Sequence, residues 1–157
     1  MSALAIARVS ALHALDRAEH LLALGKRADC LGASLAPGMM GFADQIGVTA
    51  SFARRATVAL VRADFDPTVE WDADAASLGA LLSSVRREVE AVDGPTLPVV
   101  VHVAGTARLE HDPDTYVARF ALPNLWFHLT AAYAILRAQG VAVGKADFDG
   151  LHAYPAP

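Results

Sequence analysis

The chain has 157 residues, of which 54% are hydrophobic and 19% are charged, and its formal net charge is −4. This length predicts a single domain over residues 1–157 with a sizeable core. The absence of any basic run argues against a nucleic-acid partner. A single cysteine, Cys30, excludes an internal disulfide and a cysteine-based zinc site, and it is typical of a reducing cytoplasm.

Apolar residues recur at helical spacing near the N-terminus and predict a first helix over residues 3–25 that ends at Gly25. A second helix is predicted from Pro37, a residue that suits a first helical turn, to about residue 62. Gln45 and Thr49 fall on the otherwise apolar face of this second helix. Polar side chains in such a position need a hydrogen-bonding partner or a functional reason.

The middle of the chain combines a helix with a change to strand-forming residues. A third helix is predicted over residues 75–92, with Asp72 or Asp74 as its N-cap. The β-branched residues that follow disfavour helix, and Gly105 is suited to a turn. We therefore predict a short β-hairpin over residues 97–111.

Asp112 followed by Pro113 predicts the start of a fourth helix, which should end near Gly140. Pro123 lies inside it and lacks the amide hydrogen for a helical bond, so we expect a bend there. The tail, about residues 141–157, is predicted to be mostly irregular. Four helices with short connections, and a hairpin before the last, predict an all-α up-and-down four-helix bundle.

The fourth helix contains the stretch FALPNLWFHLTAAYAILRAQG, which has no formal charge over residues 120–136. A membrane span needs about 20 predominantly apolar residues. Pro123, Asn124 and His128 interrupt this stretch before that length is reached. We therefore expect a core helix of a soluble protein without a membrane partner. Bundles of this kind place functional groups on facing helices, which directs attention to Gln45 and to the Asn124/His128 pair.

The stretch FALPNLWFHLTAAYAILRAQGVAVGKADFDG (120–150) has a Pro-Asn step, aromatic residues, a histidine and an AYAILR run. Together with LDRAEHLLA (15–23) and LAPGMMGFADQI (35–46), it closely resembles the bacterial family called domain of unknown function 1993. Gly38 stands where that family usually has an aspartate, and Ser34 stands where an arginine is common. The likeness covers most of the chain, although residues 64–110 match only in the order of their predicted elements.

By this resemblance the chain is similar to the DinB/YfiT-like metalloenzymes. Those proteins are four-helix bundles, frequently dimers, that hold nickel, zinc or a similar ion through three histidines. In their register His128 stands at the second histidine of the last helix, and Asn124 takes the place of the first. Gln45 takes the place of the ligand on the second helix. The resemblance thus implies a DinB-like site in which two of three imidazoles have become carboxamides.

That replacement weakens the case for a metal. Imidazole nitrogen binds zinc, nickel and iron well, whereas the neutral amide oxygens of Asn and Gln are weak ligands for these ions. We therefore expect no bound metal; if zinc or nickel does bind, His128 would hold it with Asn124 and Gln45. The three side chains can instead bond to one another or to a trapped ligand. In a structural alternative, Asn124 satisfies backbone that Pro123 frees, and His128 is an ordinary core histidine.

Two functions follow from this site. In the first, the protein binds a small ligand or serves a structural role at a polar core site that has lost most of its metal ligands. In the second, the resemblance implies a metal-assisted enzyme of the thiol-dependent transferase or isomerase class. His128 would then be the catalytic base or the sole imidazole ligand, with Asn124 and Gln45 orienting the substrate.

The remaining histidines are not predicted to form a site. His13 and His20 share one face of the first helix and are expected at the surface. His102 and His111 lie in or beside the hairpin and are expected to be solvated, and His152 lies in the tail. No metal-ligand partners for the hairpin histidines are visible in the sequence.

A second apolar stripe on the fourth helix predicts a homodimer. The stripe lies apart from the polar face of that helix and consists of Trp126, Leu129, Tyr133 and Leu136. A helix that is apolar on two faces in a small bundle favours packing against another subunit.

Overall fold

The computed structural model describes residues 1–154, and most of them belong to a helical bundle. Its long helices are α1 (Ala3–Arg27), α2 (Phe42–Thr57), α3 (Ala75–Ala91) and α5 (Leu122–Ala138). Its shorter helical elements are a 3-10 turn (Val58–Leu60), α4 (Pro113–Tyr116), a π-helical turn (Val117–Ala121) and α6 (Lys145–Asp149). Helix α1 packs against α2, α3 and α5, and α2 also packs against α3 and α5. The predicted all-α four-helix bundle is confirmed.

The predicted hairpin is also present. Strands β1 (Val100–Ala104) and β2 (Ala107–His111) pair antiparallel, with Ala104 opposite Ala107 at the turn. Gly105 has a φ of +60°, a conformation that glycine adopts without strain. The side chains of β1 alternate between buried and exposed, so one face of the strand lies on the helices.

The prediction that Gly25 ends α1 is wrong, because this helix continues to Arg27. Gly25 is buried inside α1, and the ring of Phe42 rests directly on it. A Cβ atom at Gly25 would lie 2.5 Å from Cε1 of Phe42. The glycine is therefore needed for the close approach of α1 to the start of α2.

The prediction that α2 begins at Pro37 is wrong as well, because the helix begins at Phe42. Gly38 has a φ of +80°, which is incompatible with a right-handed helix. The Phe42 amide donates to the Ala33 carbonyl at 2.8 Å. The loop before α2 thus folds back to satisfy an amide that a helix N-terminus leaves without an intrahelical partner.

Two aspartates cap helices: Asp112, as predicted, and Asp74, one of the two candidates for the N-cap of α3. Asp74 Oδ1 accepts from the Ala76 and Ser77 amides at 2.8 and 2.9 Å at the start of α3. Asp112 Oδ1 accepts from the Thr115 amide at 2.9 Å at the start of α4. Each carboxylate replaces an intrahelical acceptor that the first turn lacks.

The predicted fourth helix is interrupted by one π-helical turn. The Leu122 amide donates to the Val117 carbonyl five residues earlier, and Pro123 follows immediately. Such π turns are often found at functional positions of helices. Gly140, with a φ of +78°, ends the helix as predicted. The tail contains the short helix α6, which the sequence did not predict, and residues 155–157 lie outside the described part.

The second apolar stripe of α5 packs against other elements of its own chain. Leu129 and Leu136 are fully buried. The rings of Trp126 and Tyr133 lie 6.4 and 5.7 Å from the ring of Phe148 in α6. The stripe is therefore covered by a helix of its own chain. Within the described residues, no helix combines the length and hydropathy needed to span a bilayer.

Candidate functional site

The structure brings Gln45 of α2 and His128 of α5 together. His128 Nδ1 lies 2.7 Å from Gln45 Oε1, and the Gln45 side chain is buried. The Gln45 amide nitrogen donates to the Met40 carbonyl at 3.5 Å, which directs its oxygen towards the histidine. Because a carbonyl oxygen can only accept, His128 Nδ1 carries the hydrogen.

This hydrogen bond fixes the chemical state of His128. Burial lowers the pKa of His128 below its ordinary value of 6.5, so the ring is neutral at physiological pH. A neutral ring protonated at Nδ1 has a bare lone pair at Nε2. Nε2 has no hydrogen-bonding partner among the described residues and is not sealed from solvent. His128 therefore presents a basic nitrogen that can accept a hydrogen bond.

Two phenylalanines flank this nitrogen-bearing ring. Phe52 of α2 stacks on the His128 ring, with centroids 5.6 Å apart and an interplanar angle of 16°. Phe127 meets the same ring edge-on at 5.1 Å. Phe52 lies seven residues after Gln45, two turns along α2, and this spacing is the signal by which the sequence could have identified it.

Asn124, the third predicted site residue, makes no hydrogen bond to Gln45 or His128. Its Nδ2 donates to the Phe120 carbonyl, inside the π turn, at 2.7 Å. It therefore binds a backbone carbonyl near Pro123, although the carbonyl that an amide at position 123 would bind in an α-helix is that of Arg119. Thr49, the other polar residue on the apolar face of α2, donates to the Gln45 carbonyl at 2.8 Å. Both side chains support the helices that position the pair.

The donor set of this site does not fit a transition metal. His128 is the sole imidazole of the pair, and Gln45 Oε1 already accepts its Nδ1 hydrogen. Across residues 1–154, no group of three or more His, Cys, Asp or Glu side chains is placed to hold a metal ion. Zinc and nickel sites in proteins use several imidazole, thiolate or carboxylate ligands.

The histidines of α1 lie apart from the pair and are only partly exposed. His20 Nε2 lies 2.8 Å from Asp147 Oδ1 of α6. The ring of His13 lies 6.0 Å from that of Trp126. These residues connect α1 to α5 and α6. His152, in the tail, pairs with Asp149 at 2.5 Å.

The prediction that His102 is solvated is wrong. It points from β1 onto the π turn, where its ring lies 4.0 Å from that of Phe120, and only 8% of the residue is exposed. Both of its ring nitrogens are buried without a hydrogen-bonding partner among the described residues. His111 is half-buried beside it at 5.3 Å. The sequence missed this position because the run of β-branched residues does not reveal which face of β1 is buried.

Acidification should destabilise the protein through its buried histidines. Burial lowers the pKa values of His102 and His128 below 6.5, with His111 and Arg55 adding to the effect at His102. As the pH falls from 7 to 5, the unfolded chain therefore takes up protons before the folded protein does, so the free energy of unfolding falls. Urea denaturation at both ends of this range measures the change.

The substitution His102→Phe should reduce this pH dependence, because it removes one of the two titrating groups. Val101→Phe, at an exposed position of the same strand, removes no titrating group and is the matched control, so it should leave the dependence unchanged. A wild-type stability that is constant or rises between pH 7 and 5 would contradict the assignment of neutral buried rings.

The helices and the imidazole–carboxamide pair define a four-helix-bundle protein with a polar core site, and solved structures show that the bundle is DinB-like. The structure of a DinB family member protein from Shewanella denitrificans matches with a TM-score of 0.70 and 21% sequence identity. The match covers 96% of this chain and 93% of that chain. At this identity the likeness shows the fold.

The family model of domain of unknown function 1993 matches residues 4–149, and the chain therefore belongs to that family. The resemblance seen in residues 120–150 is thereby confirmed. No curated protein matches the chain.

Proposed function

We propose that the protein binds a small ligand at the Gln45–His128 pair, and that the ligand donates a hydrogen bond to His128 Nε2. The observation that carries this proposal is the 2.7 Å bond between His128 Nδ1 and Gln45 Oε1. It fixes the tautomer with a bare Nε2, and a fixed tautomer lowers the cost of organising the site when a ligand binds.

The neighbouring rings define what kind of ligand suits the site. Phe52 and Phe127 place apolar faces beside the polar nitrogen of His128. Neutral His128 has no charge to attract an ion, and Gln45 is neutral as well. A neutral aromatic or alicyclic molecule with one hydroxyl or amine hydrogen satisfies both the apolar walls and the single acceptor.

Phenol is a suitable probe because it combines an aromatic ring with one hydroxyl donor. We expect phenol to shift the NMR signals of the His128 ring in a saturable way, whereas anisole, which lacks the donor, should bind at least about tenfold more weakly. His128→Leu, which has no acceptor, should abolish the preference for phenol in isothermal titration calorimetry, and His152→Leu should retain it. Equal binding of phenol and anisole to the wild-type protein would overturn the proposal.

A DinB-like enzyme that uses His128 with a divalent metal and a thiol substrate is the second candidate. It is favoured by the DinB-like fold and by the open Nε2 of His128. Metal analysis of protein purified without a polyhistidine tag distinguishes the two candidates. Stoichiometric zinc or nickel that is lost in His128→Ala would support the enzyme and contradict the metal-free ligand site.

We also propose that the protein is a cytoplasmic homodimer, in which α5 contributes a face around Phe127. The side chain of Phe127 is 60% exposed, although it lies directly beside the His128 ring. Burial of an exposed aromatic side chain is a common source of stability at subunit interfaces. A dimer of this kind would cover the mouth of the ligand site.

A further inference from the structure

A cavity that neither Gln45 nor His128 lines is present on the hairpin side of the bundle. It has a volume of about 380 Å³ and is bounded by the end of α2, the loop at residues 65–67, strand β1 and α4. This volume is within the range of small-molecule sites. Its polar lining consists of Arg55, His102, Tyr116 and Arg108, and its apolar lining includes Phe65, Pro67 and Val103. Arg108 of β2 already has a counter-ion, because its Nη1 lies 2.6 Å from Glu110 Oε1.

Arg55 is a half-buried cation without a counter-ion. Among the described residues, no carboxylate oxygen lies within 4.0 Å of its guanidinium. Its Nε donates to Ser51 Oγ at 3.3 Å, and its guanidinium carbon lies 5.3 Å from the centroid of the Phe52 ring. Arg55 is half-buried, and this burial lowers the pKa of its guanidinium. A partly desolvated cation of this kind is stabilised by a bound anion.

Arg54, the adjacent residue on α2, differs from Arg55 because the chain supplies its counter-ion and its hydrogen-bond acceptors. Arg54 Nε lies 2.5 Å from Glu88 Oε2, and its Nη1 donates to the Asp66 carbonyl at 2.8 Å. Both acceptor groups belong to the chain itself. The terminal nitrogens of Arg55, in contrast, make no hydrogen bond to any described residue, so they are available to a ligand.

His102 is a second polar residue that lines this cavity, and it lacks hydrogen-bonding partners for its ring nitrogens. It is more than nine-tenths buried, and neither ring nitrogen has a partner among the described residues. Tyr116 does not supply one: its hydroxyl donates to the Arg55 carbonyl at 3.2 Å, and no hydrogen bond joins it to His102. Buried polar atoms are seldom left unpaired without a functional reason.

We propose that this cavity binds a small organic anion, a monocarboxylate with an apolar tail. The terminal nitrogens of Arg55 would bind the carboxylate, and a small shift of His102 would allow one of its ring nitrogens to donate as well. The tail would lie against Phe65, Pro67 and Val103. An inorganic anion would satisfy Arg55 but would leave these apolar side chains unused, so the lining favours an amphipathic ligand.

Hexanoate and hexanol together test this assignment by isothermal titration calorimetry. We expect hexanoate to bind at least about tenfold more tightly than hexanol, because its carboxylate forms a charge-assisted hydrogen bond that a hydroxyl cannot form. Arg55→Gln should lose this preference. Arg119→Gln removes the same charge from an exposed position that does not line the cavity and should keep it.

Val103→Trp provides an independent variant, because Val103 is 57% exposed and its replacement does not disturb the core. The larger ring should occupy the cavity and weaken hexanoate binding while Arg55 remains in place. Equal affinity for hexanoate and hexanol in the wild-type protein would overturn the proposal. Unchanged hexanoate binding in folded Arg55→Gln would overturn it too; if that variant does not fold, unchanged binding in Val103→Trp would do so.

Discussion

The substitution Phe42→Ala is expected to lower the free energy of unfolding by about 3–5 kcal/mol, the usual cost of deleting a fully buried aromatic side chain. Phe42 has no exposed surface, and its ring lies on Gly25 of α1 at the point where α2 begins. Its removal leaves a cavity between the two helices. Urea denaturation, monitored by circular dichroism, measures the loss.

Gly25→Ala should also destabilise the protein, by about 1–3 kcal/mol, because the added methyl group overlaps the Phe42 ring. Gly79→Ala is the matched control in α3. A Cβ atom at Gly79 meets nothing within 4 Å, so alanine should stabilise that helix by up to about 1 kcal/mol. In the Phe42→Ala background, Gly25→Ala should hardly change the free energy of unfolding, because the ring that the methyl group overlaps is absent. If the double variant instead loses the sum of the two single losses in the free energy of unfolding, Gly25 and Phe42 are not in contact.

The second large effect is expected at Trp126. This side chain packs between His13 of α1 and Phe148 of α6, so Trp126→Ala should lower the free energy of unfolding by about 3 kcal/mol. Because Trp126 makes its contacts within the chain, the molecular mass in solution should not change. Chemical denaturation measures the free energy of unfolding, and analytical ultracentrifugation of the same preparation measures the molecular mass.

Phe127→Ser is the complementary variant, because Phe127 lies next to Trp126 in sequence but is exposed. If a dimer forms through the face around Phe127, this variant should reduce the mass in solution to that of a monomer and should cost little monomer stability. Tyr154→Ser, at an equally exposed aromatic residue, should leave the mass unchanged. A dimer that persists in Phe127→Ser would contradict the proposed interface.

Much of the fold could be predicted from local chemistry. Asp74 and Asp112 were identifiable as N-caps because carboxylates at those positions bind free backbone amides. The hairpin was predictable because β-branched residues disfavour helix and Gly105 permits the turn. In each of these cases the determining interaction lies within a few residues in sequence.

The errors arose where a distant residue decides the structure. Gly25 was predicted to end α1 because glycine is common at helix ends. The position in fact requires glycine because the ring of Phe42, from another helix, packs directly on it. Pro37 suits a helix start, yet α2 begins at Phe42, whose amide is bound by the preceding loop. His102 lies on the buried face of β1 because the hairpin packs against the π turn. Sequence periodicity does not contain these tertiary contacts.

The candidate site also combines features that could be predicted from the sequence with features that depend on distant contacts. Gln45 and His128 were paired through the register of a resemblance rather than through their own spacing, since 83 residues separate them. Asn124 shared that register but bonds to the Phe120 carbonyl in the π turn. No pattern in the sequence indicates the π turn, in which a backbone hydrogen bond spans five residues instead of four.

The tautomer of His128 decides whether the pair presents an open acceptor, and long-range ¹H–¹⁵N correlation NMR of the imidazole ring measures it directly. At about pH 7.5 the ring should be neutral, with its hydrogen on Nδ1 and a bare Nε2. In Gln45→Leu, which removes the acceptor, the hydrogen should redistribute towards Nε2. A wild-type ring that is charged at that pH, or that carries its hydrogen on Nε2, would contradict the proposed site.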